Sequence, residues 1–241
     1  MNVNEMMSVS LITPTFNERE NIPILAQEIF SAVREYTDID LELIVVDDNS
    51  PDGTGEIAEG LRGQYPIRVV HRPGKQGLGS AVMEGFGLSD RPYLGVIDAD
   101  LSHDPSLIPR LILGLREFDL TIGSRYDPSS TVEKWPWYRR CISNVGVFLA
   151  RQLTGVLDPL SGYFFLHRHV VDHFALTSPG YKILLEILVK GTYNGFLEVP
   201  FVFRDRQFSS SKLNPKEYYL FMKQIVLFSI EKMTRRKRSR P

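Results

Sequence analysis

The sequence predicts an α/β protein built on a mostly parallel central sheet, covered by helices on both faces. Three observations carry this expectation. Short apolar runs alternate with segments of helical period from Val9 to Ile122, the pattern of strand–helix–strand crossovers. The polar clusters Pro14–Glu18, Asp47–Gly53, Asp98–Asp104 and Gly123–Tyr126 each follow one of those runs, and parallel sheets bind ligands beyond the carboxyl ends of their strands. At 241 residues, 43% hydrophobic and 24% charged, the chain is long enough to bury a sizeable core.

In order, Val9–Thr13 reads as a strand and Ile22–Tyr36 as a helix with Pro23 near its first turn. Leu41–Val46 is a β-branched strand that ends in the turn-forming Asp47-Asp48-Asn49-Ser50-Pro51-Asp52-Gly53. Residues 54–64 follow as a helix, Ile67–Val70 as a short strand and 77–89 as a helix. Tyr93–Ile97 is the next strand, before a helix from Pro105 to about Glu117 and a strand at Leu120–Ile122. The second half is less regular. It offers a helix at Trp135–Thr154, a strand at Tyr163–Leu166, a helix at Tyr181–Lys190 and a strand at Phe196–Phe203. Pro215–Met233 closes the chain as a C-terminal amphipathic helix. Asn214 suits its cap, Glu217 completes a capping box, and Tyr218, Phe221, Met222, Ile225, Val226, Ser229 and Ile230 share one broad face.

A formal net charge of −1 hides an asymmetry. Residues 1–60 hold two arginines against 13 acids, whereas residues 204–241 hold 11 Lys or Arg against Asp205, Glu217 and Glu231. The basic end favours an anionic partner: nucleic acid, phosphate or lipid headgroup. A nucleic-acid binder explains that end but not the acidic first third. The single Cys141 excludes an internal disulfide framework and fits a reducing compartment. Met1–Ser8 lacks a basic stretch followed by a long apolar one, so no signal peptide is expected. No uncharged run approaches the roughly 18–20 residues of a membrane span.

The chemistry centres on Asp98-Ala99-Asp100, at the end of Tyr93–Ile97. In an extended segment residues two apart face the same way, so both carboxylates would emerge together. They would repel unless a divalent cation lay between them, and Mg²⁺ or Mn²⁺ takes carboxylate oxygens while keeping positions open for phosphate. Two solvated acids at a turn are the plain alternative. Asp47 and Asp48 can accept hydrogen bonds from a base or ribose, or from their own turn. His71–Ser80 is a glycine-rich, basic approach to a helix, where Lys75 and backbone N–H groups attract anions. It has neither GxGxxG nor P-loop spacing. Arg125, just past a strand, suits bidentate phosphate binding. His167, His169 and His173 have the spacing H-x-H-x₃-H, but adjacent Arg168 and the lack of a paired acid argue against a metal.

The order of these motifs is specific. Pro14–Asn21, Val45–Thr54, Lys75–Gly79, Asp98–His103, Gly123–Tyr126, Ser161–Tyr163, Gly180–Glu186 and Arg206–Lys212 together resemble the polyprenol (dolichol) phosphate mannosyltransferases. These are inverting glycosyltransferases of family 2 with the GT-A fold, and the resemblance covers roughly residues 8–213. It implies a GT-A catalytic domain over 8–213, with the amphipathic helix and basic tail in 214–241. It implies transfer of mannose from GDP-mannose to a polyprenol phosphate. Pro14, Phe16, Glu18, Asp47 and Asp48 would hold guanosine, with Lys75, Gly77 and Gly79 also against the donor. Asp98 and Asp100 would bind Mg²⁺ or Mn²⁺, with Ser102 where some members have a further ligand. Arg125, Arg139, Ser143, Arg206 and Lys212 would grip the phosphates, and Asp98, Asp100, Arg125 and Arg206 form the catalytic set. Phe16 replaces a frequent Tyr, and Ser209 replaces a loop Gly, which stiffens that loop. The resemblance also implies a cytoplasmic enzyme peripherally associated with the cytoplasmic face of a membrane, through the tail or through a membrane-anchored partner subunit. A polyprenol-phosphate glucosyltransferase using UDP-glucose, or another family 2 glycosyltransferase, is the alternative enzyme, and a non-catalytic nucleotide-sugar or membrane-adaptor protein the alternative class.

Overall fold

Seven strands among the described residues form one sheet: β1 (Met7–Thr15), β2 (Ile39–Asp47), β3 (Ile67–His71), β4 (Tyr93–Val96), β5 (Leu120–Ser124), β6 (Phe164–His167) and β7 (Phe196–Pro200). Their order across the sheet is β3-β2-β1-β4-β6-β5-β7. β6 runs antiparallel to β4 and β5, and every other pairing is parallel. The computed structural model describes residues 5–125, 147–174, 183–202 and 224–228.

The helices are α1 (Asn21–Val33), α2 (Thr54–Gly60), α3 (Leu78–Leu88), α4 (Ile108–Gly114), α5 (residues 147–154 of a helical stretch) and α6 (Ile183–Lys190). The period of two along each strand explains why helices cover both faces. Leu11 and Leu43 face one layer with Leu25 and Ile29 of α1 and Leu111 and Ile112 of α4. Their neighbours Ile12 and Ile44 face the other, with Val82 and Phe86 of α3 and Leu184 and Ile187 of α6. A third cluster joins Val147, Ala150 and Leu153 of α5 to Leu185 and to Ile225 and Phe228 of the helical segment 224–228.

Two expected elements are shorter than their patterns. The helix expected from Pro105 to Glu117 is a 3₁₀ turn at Pro105–Leu107 followed by α4, which stops at Gly114. A Cβ on Gly114 would stand 2.9 Å from both Leu197 and Thr121, so the close approach requires glycine. The strand expected over Phe196–Phe203 ends at Pro200, opposite Ser124, the last residue of its partner β5. The expected helices at Trp135–Thr154 and Pro215–Met233 fall largely outside the described residues; residues 147–154 and 224–228 are helical. Among the described residues no helix is long and apolar enough to cross a membrane.

Candidate active site

The carboxyl end of β4 sets the centre. The ladder with β1 ends at Val96, and Ile97 makes one last N–H bond to the Ile12 carbonyl at 3.1 Å. Beyond it the chain turns, so the expected extended alternation through Asp98–Asp100 is not what the structure shows. Leu101 has φ 60, a left-handed conformation rare for a branched side chain. Asp100 Oδ1 accepts from the Ser102 N–H at 3.1 Å and the Ser102 hydroxyl at 2.5 Å, which holds the turn. The two acids therefore differ: Asp100 is buried, whereas the Asp98 side chain is 26% exposed.

Asp98 lies in a cradle that depends on glycine. A Cβ on Gly162 would stand 2.7 Å from Asp98 Oδ2 and 3.0 Å from Oδ1. On the other side, buried His103 places Nδ1 4.0 Å from Asp98 Oδ2. The His103 ring packs against Tyr163 and Phe201, at centroid distances of 5.2 and 5.5 Å. The Tyr163 hydroxyl donates to the Asp104 carbonyl at 3.1 Å. Burial pushes that hydroxyl well above its ordinary pKa, and the charge of Asp104 adds to the shift. The oxygen donors here are the carboxylates of Asp98 and Asp100 and the hydroxyl of Ser102. That set, with its side-chain-free gap at Gly162, fits Mg²⁺ or Mn²⁺ and not a soft metal.

The loops after β1, β2 and β3 interlock beside this centre. Asp47 accepts from the Thr15 hydroxyl at 3.0 Å and from the Ser50 N–H and hydroxyl at 2.9 and 2.5 Å. Asp48 accepts from the Arg72 guanidinium, and from the N–H groups of Gln76 and Gly77 at 3.2 and 3.0 Å. Those two N–H groups stand at the start of α3, where the sequence offers them to a phosphate. The anion they hold here is the protein's own aspartate. Gly77 permits this with φ 97 and ψ 155. Arg72 is 4% exposed and also reaches Glu84 at 2.9 Å, Gln76 Oε1 at 2.9 Å and the Ser80 hydroxyl at 2.8 Å. In the sequence Arg72 is one more cation of a basic loop, because Asp48 lies 24 positions earlier. Lys75 lies over the Phe16 ring, its Nζ 3.9 Å from the centroid, which ties the β1 loop to the glycine-rich loop. The Glu18 N–H donates to the Thr54 hydroxyl at 2.9 Å, and its carboxylate accepts from Asn21 at 2.6 Å. Pro14 lies within β1 opposite Val46, and Gly79 is buried in α3.

Arg125 follows β5. Its Nε and Nη2 donate to the two oxygens of Asp158 at 2.8 and 2.9 Å, and its backbone N–H to Asp158 Oδ2 at 3.0 Å. Asp158 is fully buried, and its own N–H donates to Glu198 of β7 at 2.9 Å. Nothing local in the sequence singles out Asp158, because its partner Arg125 lies 33 positions earlier. Ser161 completes the arrangement by donating to the Gly123 carbonyl at 2.7 Å. The structure thus brings Phe16, Glu18, Asp47, Asp48, Lys75, Gly77, Asp98, Asp100, Ser102 and Arg125 to the carboxyl ends of the parallel strands. Arg139, Ser143, Arg206 and Lys212 lie outside the described residues.

A mostly parallel sheet whose strand-end loops carry two acids and a braced arginine has the architecture of a glycosyltransferase of GT-A type. The model of glycosyl transferase family 2 matches residues 10–174, and the chain belongs to that family. A dolichol-phosphate mannosyltransferase of Pyrococcus furiosus is 42% identical over 91% of this chain; the chain spans 63% of that protein's length. A dolichol-phosphate mannosyltransferase of Saccharomyces cerevisiae is 37% identical over 90% of this chain and 85% of the relative. The polyprenol monophosphomannose synthase of Mycolicibacterium smegmatis is 38% identical over 85% and 80%. Among solved structures, glucosyl-3-phosphoglycerate synthase from Mycobacterium tuberculosis, in complex with Mn²⁺, UDP-glucose and glycerol 3-phosphate, superposes with a TM-score of 0.65 at 20% identity. It covers 94% of this chain and 80% of its own. That likeness establishes the fold.

Proposed function

We propose that this chain transfers mannose from GDP-mannose to the phosphate of a polyprenol (dolichol), with inversion and with a divalent cation. The observation that carries the reading is the naming of relatives 37–42% identical over about nine-tenths of the chain, supported by the convergence of their motifs on one end of the sheet. Asp98 and Asp100, with Ser102 beside them, would hold Mg²⁺ or Mn²⁺, which supplies positive charge against the departing diphosphate. Phe16, Glu18 and the Asp47–Asp48 pair would line the nucleoside, next to Lys75. Asp48 works chiefly by shaping the glycine-rich loop, since three donors already engage it. Arg125, braced by Asp158, would meet phosphate, joined by Arg139, Ser143, Arg206 and Lys212. The acceptor needs no strong general base, because a phosphate monoester has a second pKa near 6 and is already ionised at neutral pH. Catalysis then rests on positioning and charge neutralisation.

The test is donor choice. GDP-mannose with Mn²⁺ should raise the melting temperature more than UDP-glucose or UDP-GlcNAc does, by the linkage that gives about 2.7 kcal/mol at 100 times the dissociation constant. An equal or larger shift with UDP-glucose overturns the mannose reading. Asp100→Asn should lower transfer on the order of 100-fold or more while leaving the circular dichroism spectrum unchanged. We also propose contact with the cytoplasmic face of a membrane through Arg235–Arg240. The chain truncated after Thr234 should sediment less with anionic vesicles; unchanged sedimentation assigns the contact elsewhere, including to a membrane-anchored partner.

A further inference from the structure

We infer that Asp119, His167 and His169 form a second divalent-cation site, of zinc type, at the end of the sheet opposite Asp98 and Asp100. Asp119 precedes β5, His167 ends β6 and His169 lies in the 3₁₀ turn Arg168–Val170. One ligand atom of each lies within 4.8 Å of the others. The fold thus supplies the acid that the spacing H-x-H-x₃-H lacks, from a segment 48 or more positions earlier in the chain. Arg168 points its guanidinium away, donating to the carbonyls of Arg91 at 2.8 Å, Ser89 at 2.7 Å and Phe86 at 3.3 Å.

The groups around the cluster orient it as metal ligands are oriented. His167 Nε2 is 2.7 Å from the Leu115 carbonyl, which can only accept. The ring proton therefore belongs on Nε2, and Nδ1 keeps the lone pair that a metal takes. Asp119 Oδ2 accepts from the Asn194 N–H at 2.7 Å and its side-chain amide at 3.2 Å. Oδ1 is left toward His169, whose Nε2 stands 3.6 Å away, longer than a hydrogen bond. Ligand atoms around a tetrahedral zinc stand roughly 3.3 Å apart. Closure therefore needs a small inward swing of His169, the member whose side chain is 49% exposed. Two imidazoles and one carboxylate select a borderline metal such as Zn²⁺, Co²⁺ or Ni²⁺ over Mg²⁺, so the two sites take different cations. Bound there, the ion would clip the start of β5 to the corner after β6.

The test uses the full-length, tag-free chain stripped with a chelator and titrated with Zn²⁺ by calorimetry in excess Mg²⁺. About one Zn²⁺ per chain is expected to bind and to raise the melting temperature. Co²⁺ should give the intense visible absorption of a four-coordinate site. His169→Ala, at an exposed position, should fold normally and weaken Zn²⁺ at least tenfold, and Asp119→Asn should do the same. Asp98→Asn should leave Zn²⁺ binding unchanged. Absence of Zn²⁺ binding to the wild type, or equal affinity in His169→Ala, overturns the inference, whichever sugar donor the enzyme prefers.

Discussion

Arg125 and Asp158 meet through two side-chain bonds and one backbone bond, with the carboxylate fully buried. Removing one partner of such a pair leaves an uncompensated charge, so Asp158→Ala should cost about 3 kcal/mol in urea unfolding. Because Arg125 would lose its brace, donor affinity should fall in the same variant. Tyr163 gives a signature in alkali. Its folded hydroxyl titrates well above the unfolded value near 10, because burial disfavours the phenolate. The stability it contributes is full below about pH 10 and is lost as pH rises toward the folded value. Tyr163→Phe should flatten the loss of stability above about pH 10, at a cost of about 1 kcal/mol at neutral pH for the bond to Asp104. Asp52 works at the other end of the scale. Burial raises its carboxyl, but hydrogen bonds from the Thr54 side chain and from the N–H groups of Thr54 and Arg19 outweigh it and hold the pKa down. Its contribution is present above about pH 4 and is lost as pH falls through the lowered value. Acid and base unfolding should therefore report on two different ends of one site.

At the level of elements, close approach between strands and loops decides more than helix propensity does. A Cβ on Gly162 would press on Asp98, so Gly162→Ala should displace that carboxylate and weaken Mn²⁺-dependent donor binding about tenfold while leaving overall stability within about 1–3 kcal/mol. Fluorescence titration with GDP-mannose would read the change. Period and turn chemistry made most strands visible in the sequence: Leu11, Ile12, Leu43 and Ile44 alternate between two apolar layers, so adjacent positions are both apolar. The Pro105–Glu117 pattern misled because helical period does not distinguish a 3₁₀ turn leading into α4 from one continuous helix. The reversal of β6 had no local signal either. Its direction follows from pairing with β4 and β5, both remote in the chain. For the same reason Asp158 and Arg72 went unassigned, since each acquires its role from a partner at least 24 positions away. The position of Asp98 and Asp47 at strand ends was legible, because it follows directly from the apolar runs that precede them.

Across the whole molecule, charge is divided by position. The acids of residues 1–60 include Asp47, Asp48 and Asp52, which brace the loops after β2 and β3. The 11 lysines and arginines of residues 204–241, set against three acids, favour an anionic partner. The bonds between Arg125 and Asp158, 33 positions apart in the sequence, fasten the end of β5 to the segment that leads into β6. Closing a loop costs only about 0.6 kcal/mol more for each doubling of its length. Adding residues between positions 126 and 146 should therefore cost the fold little while that anchor stands, and urea unfolding of a chain lengthened there would measure it.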